Sequence, residues 1–156
     1  MNQAEIDFFN MFDDIKKSDR DSDMFGHYDF IIADKTKVDV KGAKKINRHD
    51  QSPNHDIHYI EFRNVRGNKG WVYGEADYIA FEYYDTFLLV KRESIIELCK
   101  SKILDKSIKN YKSIYGLYSR EGREDLITLI PTKDLIDIST RILYKNKLYE
   151  TSKRKI

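Results

Sequence analysis

The run Tyr28-Asp29-Phe30-Ile31-Ile32-Ala33-Asp34-Lys35-Thr36-Lys37-Val38-Asp39-Val40-Lys41 decides how this 156-residue chain is read. Tyr28 to Ala33 and Lys37 to Lys41 are β-rich, and the polar triplet Asp34-Lys35-Thr36 between them predicts an antiparallel hairpin. Side chains alternate along a strand, so Asp29, Ile31 and Ala33 take one face of the first strand, and Lys37, Asp39 and Lys41 one face of the second. With a loop of those three residues, Ala33 pairs with Lys37, Ile31 with Asp39 and Asp29 with Lys41. Paired residues lie on the same side of a sheet, so Asp29, Asp39 and Lys41 converge; a slip of one residue would scatter them.

Two carboxylates on adjacent strands suit Mg²⁺, a hard cation that takes oxygen ligands and keeps several waters. A lysine two positions beyond one of them is placed to orient or deprotonate a water, or to stabilise charge on a phosphate. Together these parts make a minimal machine for phosphodiester hydrolysis. The tripeptide Asp-x-Lys has little specificity by itself, since Asp14-Ile15-Lys16 repeats it. On a helix, positions i and i+2 diverge, whereas on a strand they share a face, and this separates the two occurrences. Glu61-Phe62-Arg63 is a strand rival, but no acid precedes it on a hairpin partner with a short turn.

Working outward, the spacing of apolar residues predicts a helix over Glu5 to Lys17, and Ser18 to His27 reads as a polar stretch and loop entering the hairpin. Gly42 to Asp56 reads as a long basic loop. Ile57 to Val65 and Trp71 to Tyr73 are expected as strands around the turn Arg66 to Gly70, followed by a strand pair at Asp77 to Tyr84 and Thr86 to Lys91. Ser94 and Glu97 have the spacing of a capping box opening a helix to about Leu104. Ser107 to Tyr118 is ambiguous. Leu126 to Ile130 reads as a strand, Pro131 to Asp137 as a short helix capped near Thr132, and Arg141 to Glu150 as a hairpin before a frayed tail, Ser152 to Ile156.

Composition fits one folded domain: 40% hydrophobic, 35% charged and 13% aromatic residues, the last more than a disordered chain carries. No run approaches the ~18 apolar residues of a membrane span. The N-terminal residues carry acids where a secretory signal carries bases, so a cytoplasmic location is expected, in the host cytoplasm for a phage-encoded chain. The single cysteine, Cys99, excludes an internal disulfide and a zinc ribbon. The net charge of +2 hides a segregation: residues 1–34 sum to −6, 35–69 to +5, 70–100 to −3 and 101–156 to +6. The two basic segments suit a phosphate backbone, although such runs are more often solvated faces.

The motif Tyr28-Asp29-Phe30-Ile31-Ile32, a turn, and Val38-Asp39-Val40-Lys41-Gly42 resembles the PD-(D/E)XK nuclease superfamily of restriction endonucleases and Holliday junction resolvases. The run Trp71-Val-Tyr-Gly-Glu-Ala-Asp-Tyr-Ile-Ala-Phe81 also looks like small phage members of that superfamily. Tyr28 stands where the pattern has proline. The resemblance implies an α/β fold with a restriction-endonuclease-like core, a mixed β-sheet flanked by helices in a single domain over 1–156. The core would cover about 5–104, with a C-terminal α/β extension over about 105–150. It further implies a Mg²⁺-dependent DNA endonuclease, Mn²⁺ substituting, acting on duplex or branched DNA, in many relatives as a homodimer.

Members commonly add an acid from the first helix, and Glu5, on the stripe with Phe8, Phe9 and Phe12, is the candidate here. The expected catalytic set is therefore Asp29, Asp39, Lys41 and Glu5, with Asp29, Asp39 and Glu5 as metal ligands. Lys44, Lys45 and Arg48 follow the catalytic strand and are candidates for phosphate contact. His49, His55 and His58 match no zinc spacing and are expected as loop histidines. Trp71, Tyr73 and Tyr78 are candidates to stack on bases or, more ordinarily, to fill the core. The competing readings are a non-catalytic nucleic-acid-binding protein and a phage or host interaction protein on the same fold.

Overall fold

Where apolar residues alternate with polar ones, or run uninterrupted for five or six positions, the chain forms strands. The computed structural model describes residues 1–146, and in it ten strands make two mixed sheets accompanied by three short α-helices. The larger sheet has the order β1 (Ile15–Lys17), β2 (Phe30–Ile32), β3 (Thr36–Lys41), β5 (Tyr78–Tyr83), β6 (Thr86–Lys91), β10 (Arg141–Tyr144). All neighbours in it are antiparallel except β3 and β5, which run parallel. The smaller sheet has the order β4 (Ile57–Arg63), β9 (Leu126–Pro131), β8 (Leu117–Tyr118), β7 (Ile108–Lys109). The C-terminal third is thus woven into both sheets, β9 against β4 and β10 against β6.

Each face of the larger sheet carries its own core. On one face, Ala4 and Phe8 of α1 (Gln3–Phe9), with Met11 and Phe12, pack on Phe30, Ile32, Val38, Val40, Ala80, Phe87, Leu89 and Leu143. Phe8 is fully buried, its ring centroid 5.0 Å from Phe12 and 5.3 Å from Phe87. On the other face, Ile79, Phe81, Leu88 and Val90 meet Ile60 and Ile130 of the smaller sheet, Ile95 and Cys99 of α2 (Arg92–Lys102), and Leu135 of α3 (Thr132–Ile138). A second sheet, rather than helices alone, covers this face. β6 is buried on both sides from Thr86 to Val90, which explains its unbroken apolar run. Among the described residues, no helix is long and apolar enough to cross a membrane.

Several local expectations are corrected. The first helix stops at Phe9, not Lys17: Asn10 closes it, and Ile15–Lys17 leaves to pair with β2, where strand hydrogen bonds replace helical ones. Trp71–Tyr73 is a 3-10 turn and not a strand, because Gly70 lies so close over Glu61 that a Cβ there would sit 2.3 Å from the Glu61 carbonyl oxygen. α2 begins at Arg92, directly off β6 and with no side-chain cap, so Ser94 and Glu97 form no capping box. α3 starts at Thr132 after Pro131, and the Thr132 hydroxyl donates to the His55 carbonyl at 2.6 Å instead of capping. His58 is no loop residue: it is buried on β4, with Nε2 2.9 Å from the Glu82 carbonyl oxygen. Arg141 to Tyr144 pairs with β6, and the remainder of the expected terminal hairpin and tail lies outside the described residues.

Candidate metal centre

The hairpin forms with a register two residues away from the expected one. Ile32 pairs with Thr36, Ile31 with Lys37 and Phe30 with Val38. The turn occupies Ala33 to Lys35, with Ala33 and Asp34 at φ 53° and 55° and the Lys35 N–H donating to the Ile32 carbonyl at 3.2 Å. Because the strand period is two, this displacement keeps every side chain on its expected face. One residue further on, it brings Asp29 beside Asp39 rather than Lys41. The Asp29 N–H still donates to the Val38 carbonyl at 2.9 Å and its carbonyl accepts the Ser18 N–H at 2.8 Å on the β1 side, while its carboxylate Oδ2 accepts the Val40 N–H at 2.7 Å. Asp29 thereby fastens itself to the strand that carries Asp39.

Asp39 sits beside Ile79 and Lys41 beside Phe81 of β5, facing the core under the second sheet. Lys41 Nζ lies 3.1 Å from Asp39 Oδ2 and 4.9 Å from the centre of the buried Trp71 ring. Trp71 therefore serves as a platform for the lysine, not as a surface for bases. From the other side α1 presents Glu5, whose backbone and side chain form a reciprocal capping box with Asn2. Ala4 packs against Gly42 so closely that a Cβ on the glycine would lie 3.0 Å from the alanine's. The result is a cleft of about 210 Å³ lined by Asn2, Glu5, Asp23, His27, Asp29, Asp39, Lys41, Gly42 and Lys44.

Burial, first, and then the neighbouring Asp39 charge and hydrogen bond push Asp29 up to about 9, Glu5 adding to the effect and the Val40 N–H opposing it. Two carboxylates this close cannot both ionise unless a cation joins them, so the pair holds a proton. Asp39 is 4% exposed, and its Oδ2 is buried with no hydrogen-bond partner of acceptable geometry, although the Lys41 ammonium lies within ion-pair distance. A buried carboxylate oxygen with no hydrogen bond and one lysine beside it is incompletely satisfied. Among the described residues no three His, Cys, Asp or Glu side chains are gathered tightly enough to hold an ion by themselves. The donor set nonetheless fits Mg²⁺, which is commonly held by one or two carboxylates with waters completing the shell.

Lys44 stands on the cleft wall; although the residue is exposed as a whole, burial of its ammonium and the charge of Lys41 hold its pKa below the usual lysine value. Lys45 and Arg48 are exposed on the loop and do not line the cleft. Asp14 and Lys16 lie on the far edge, where Lys16 pairs with Asp34 at 2.8 Å in solvent. Glu61 and Arg63 belong to β4 and do not line the cleft, although the Glu61 carboxylate is near enough for its charge to act on Lys44. Tyr73 is exposed beside Phe62, and Tyr78 is half-buried on β5. His27 and Asp23 are cleft residues that sequence reading passes over as loop, and with His27 in the left-handed region no strand parity points to them. Compared with family models, with curated proteins and with solved structures, the chain matches none.

Proposed function

We propose that this protein is a Mg²⁺-dependent DNA endonuclease built on a restriction-endonuclease-like core. The observation that carries the reading is the buried pair Asp29 and Asp39, with the Asp39 Oδ2 lacking a hydrogen bond and Lys41 beside it. A core polar pair left half satisfied is poor for folding, and a cation is what such a pair lacks. Asp29 and Asp39 are the ligands, with Glu5 reaching from across the cleft. Mn²⁺, of similar ligand preference, is expected to substitute.

A bound divalent cation supplies Lewis acidity toward a phosphoryl oxygen and makes a water more acidic. The protein's own groups do the rest. To hold a cation together with Asp39, Asp29 would release its proton to solvent, leaving both carboxylates charged. Lys41, steered by Asp39 and the Trp71 face, holds its N–H groups toward the attacking water or the charge developing on phosphorus. Lys44 neutralises a phosphate at the rim, and Lys45 and Arg48 extend that contact along the loop. The experiment is cleavage of linear, nicked, single-stranded and four-way-junction DNA with Mg²⁺, Mn²⁺ or EDTA, wild type against Asp39→Asn. Cleavage that needs the metal and vanishes in the variant supports the reading.

A further inference from the structure

We infer that residues 101–112, the chain leaving α2, form a second nucleic-acid contact surface that continues the track starting at Lys44 and takes a single strand; this rests on the nuclease reading above. The segment carries Lys102, Lys106, Lys109 and Lys112 against one acid, Asp105. Between these cations it exposes Leu104 (85%), Ile108 (53%) and Tyr111 (58%). Large apolar side chains left in water within one short segment mark an interaction surface rather than a folding requirement. Cations interleaved with a flat aromatic are the pattern that follows a phosphate backbone while stacking on its bases.

Its position ties it to the cleft. The Lys112 ammonium donates to the Ile46 carbonyl and lies 5.5 Å from the Tyr59 ring centre, while the Tyr59 hydroxyl donates to the same carbonyl at 3.0 Å. Ile46 is two residues beyond Lys44, and the loop between them is pinned: Asp50 accepts the N–H of Ile46 and of Asn47, and Asn54 N–H donates to the Lys44 carbonyl at 2.9 Å. The basic loop and the Lys112 end of the segment are therefore in direct contact. Two extended residues span at most about 7 Å. Tyr111 and Lys109 precede Lys112 by one and three residues, so a strand held at Lys44 has to run several nucleotides further to reach them. The half-buried Lys109 pairs with the exposed Asp105 at 3.1 Å, an ion pair open to solvent on its acidic side that phosphate can displace. An anionic lipid surface shares part of this chemistry, but it would not explain continuity with a carboxylate-lined cleft.

The test is fluorescence anisotropy of the full chain in EDTA with single-stranded oligonucleotides of about 4 and about 20 nucleotides, for wild type, Tyr111→Ala, Tyr111→Phe and Lys109→Ala. Tyr111→Ala is expected to weaken binding of the long strand ~5- to 100-fold and leave the short one unchanged, with Tyr111→Phe close to wild type. Lys109→Ala should lower the slope of log affinity against log salt by about 0.7 on the long strand only. Equal loss on both lengths, no loss on either, or no binding of either strand overturns the inference. So does binding of phosphatidylserine vesicles with the same dependence on Tyr111 and Lys109. Length-dependent binding through Tyr111 in a protein that cleaves nothing leaves the inference standing and removes the nuclease reading. Metal-dependent cleavage with Tyr111→Ala indistinguishable from wild type does the reverse.

Discussion

Asp29 binds a proton in the folded chain that it has lost in the unfolded one. Its raised pKa therefore contributes stability below the ordinary carboxylate value near 3.8, and that contribution drains away as pH climbs toward about 9. His58 has the opposite sign: burial holds it at about 4, so it contributes stability above 6.5 that is lost as pH falls toward 4. The two overlap in acid, and the Asp29 effect stands clear above about 6.5. Metal-free Tm is expected to fall through that range, Mg²⁺ to raise Tm more at the alkaline end, and Asp29→Asn to flatten both; thermal melts at several pH values with and without Mg²⁺ check this. Asp39→Asn should remove cleavage while DNA binding persists or tightens, because a charge that repels phosphate is gone. Lys41→Ala should cut turnover by ~10²-fold or more while the Mg²⁺-induced rise in Tm survives, measured on the same preparations. These residues were legible in sequence because strand parity alone puts Asp29, Asp39 and Lys41 on one face. Asp23 and His27 were not, because their placement depends on the path of an irregular segment, with His27 itself in the left-handed region.

At the scale of elements, α1 is the piece whose role separates most cleanly into structure and chemistry. Glu5 caps its own helix through Asn2, and glutamine satisfies the same capping box without the charge. Glu5→Gln should therefore leave Tm nearly unchanged yet weaken Mg²⁺ affinity and turnover, whereas Glu5→Ala should lose about 1 kcal/mol of stability as well. Calorimetric Mg²⁺ titration beside thermal melts separates the two, and an unchanged Mg²⁺ affinity in both variants would remove Glu5 from the ligand set. The hairpin turn offers a second test: Ala33 at φ 53° is strained where glycine is not, so Ala33→Gly should gain about 0.5 to 1 kcal/mol with activity intact, as read by urea denaturation. The strand pairs at β2 and β3 and at β5 and β6 were readable from alternation and short polar turns. The end of α1 was not, because apolar residues at 11, 12 and 15 satisfy a helical period and a turn followed by an edge strand equally well. Trp71–Tyr73 has strand composition, and only the approach of Gly70 to β4 coils it.

Taken whole, the molecule places its cleft at the end of β3, between the start of α1 and the Ser22–Gly26 turn, with basic loop residues on one side. Charge segregation along the sequence was visible as a pattern, but the contact of the C-terminal basic segment with the basic loop was not, since it depends on Lys112 reaching Ile46 across 66 residues. The second sheet was likewise hidden: β9 pairs with β4 across the intervening residues 64–125, and no local spacing encodes such a partner. The proposed activity requires that metal, carboxylate pair and cleavage belong together. The most direct measurement is single-turnover cleavage of a DNA panel by wild type, Asp39→Asn and Lys41→Ala, each purified identically and assayed in Mg²⁺ and in EDTA. The expected result is cleavage by wild type in Mg²⁺ alone, with both variants at least ~10²-fold slower. Full metal-dependent activity in both variants, from preparations proven free of contaminating nuclease, would contradict the site.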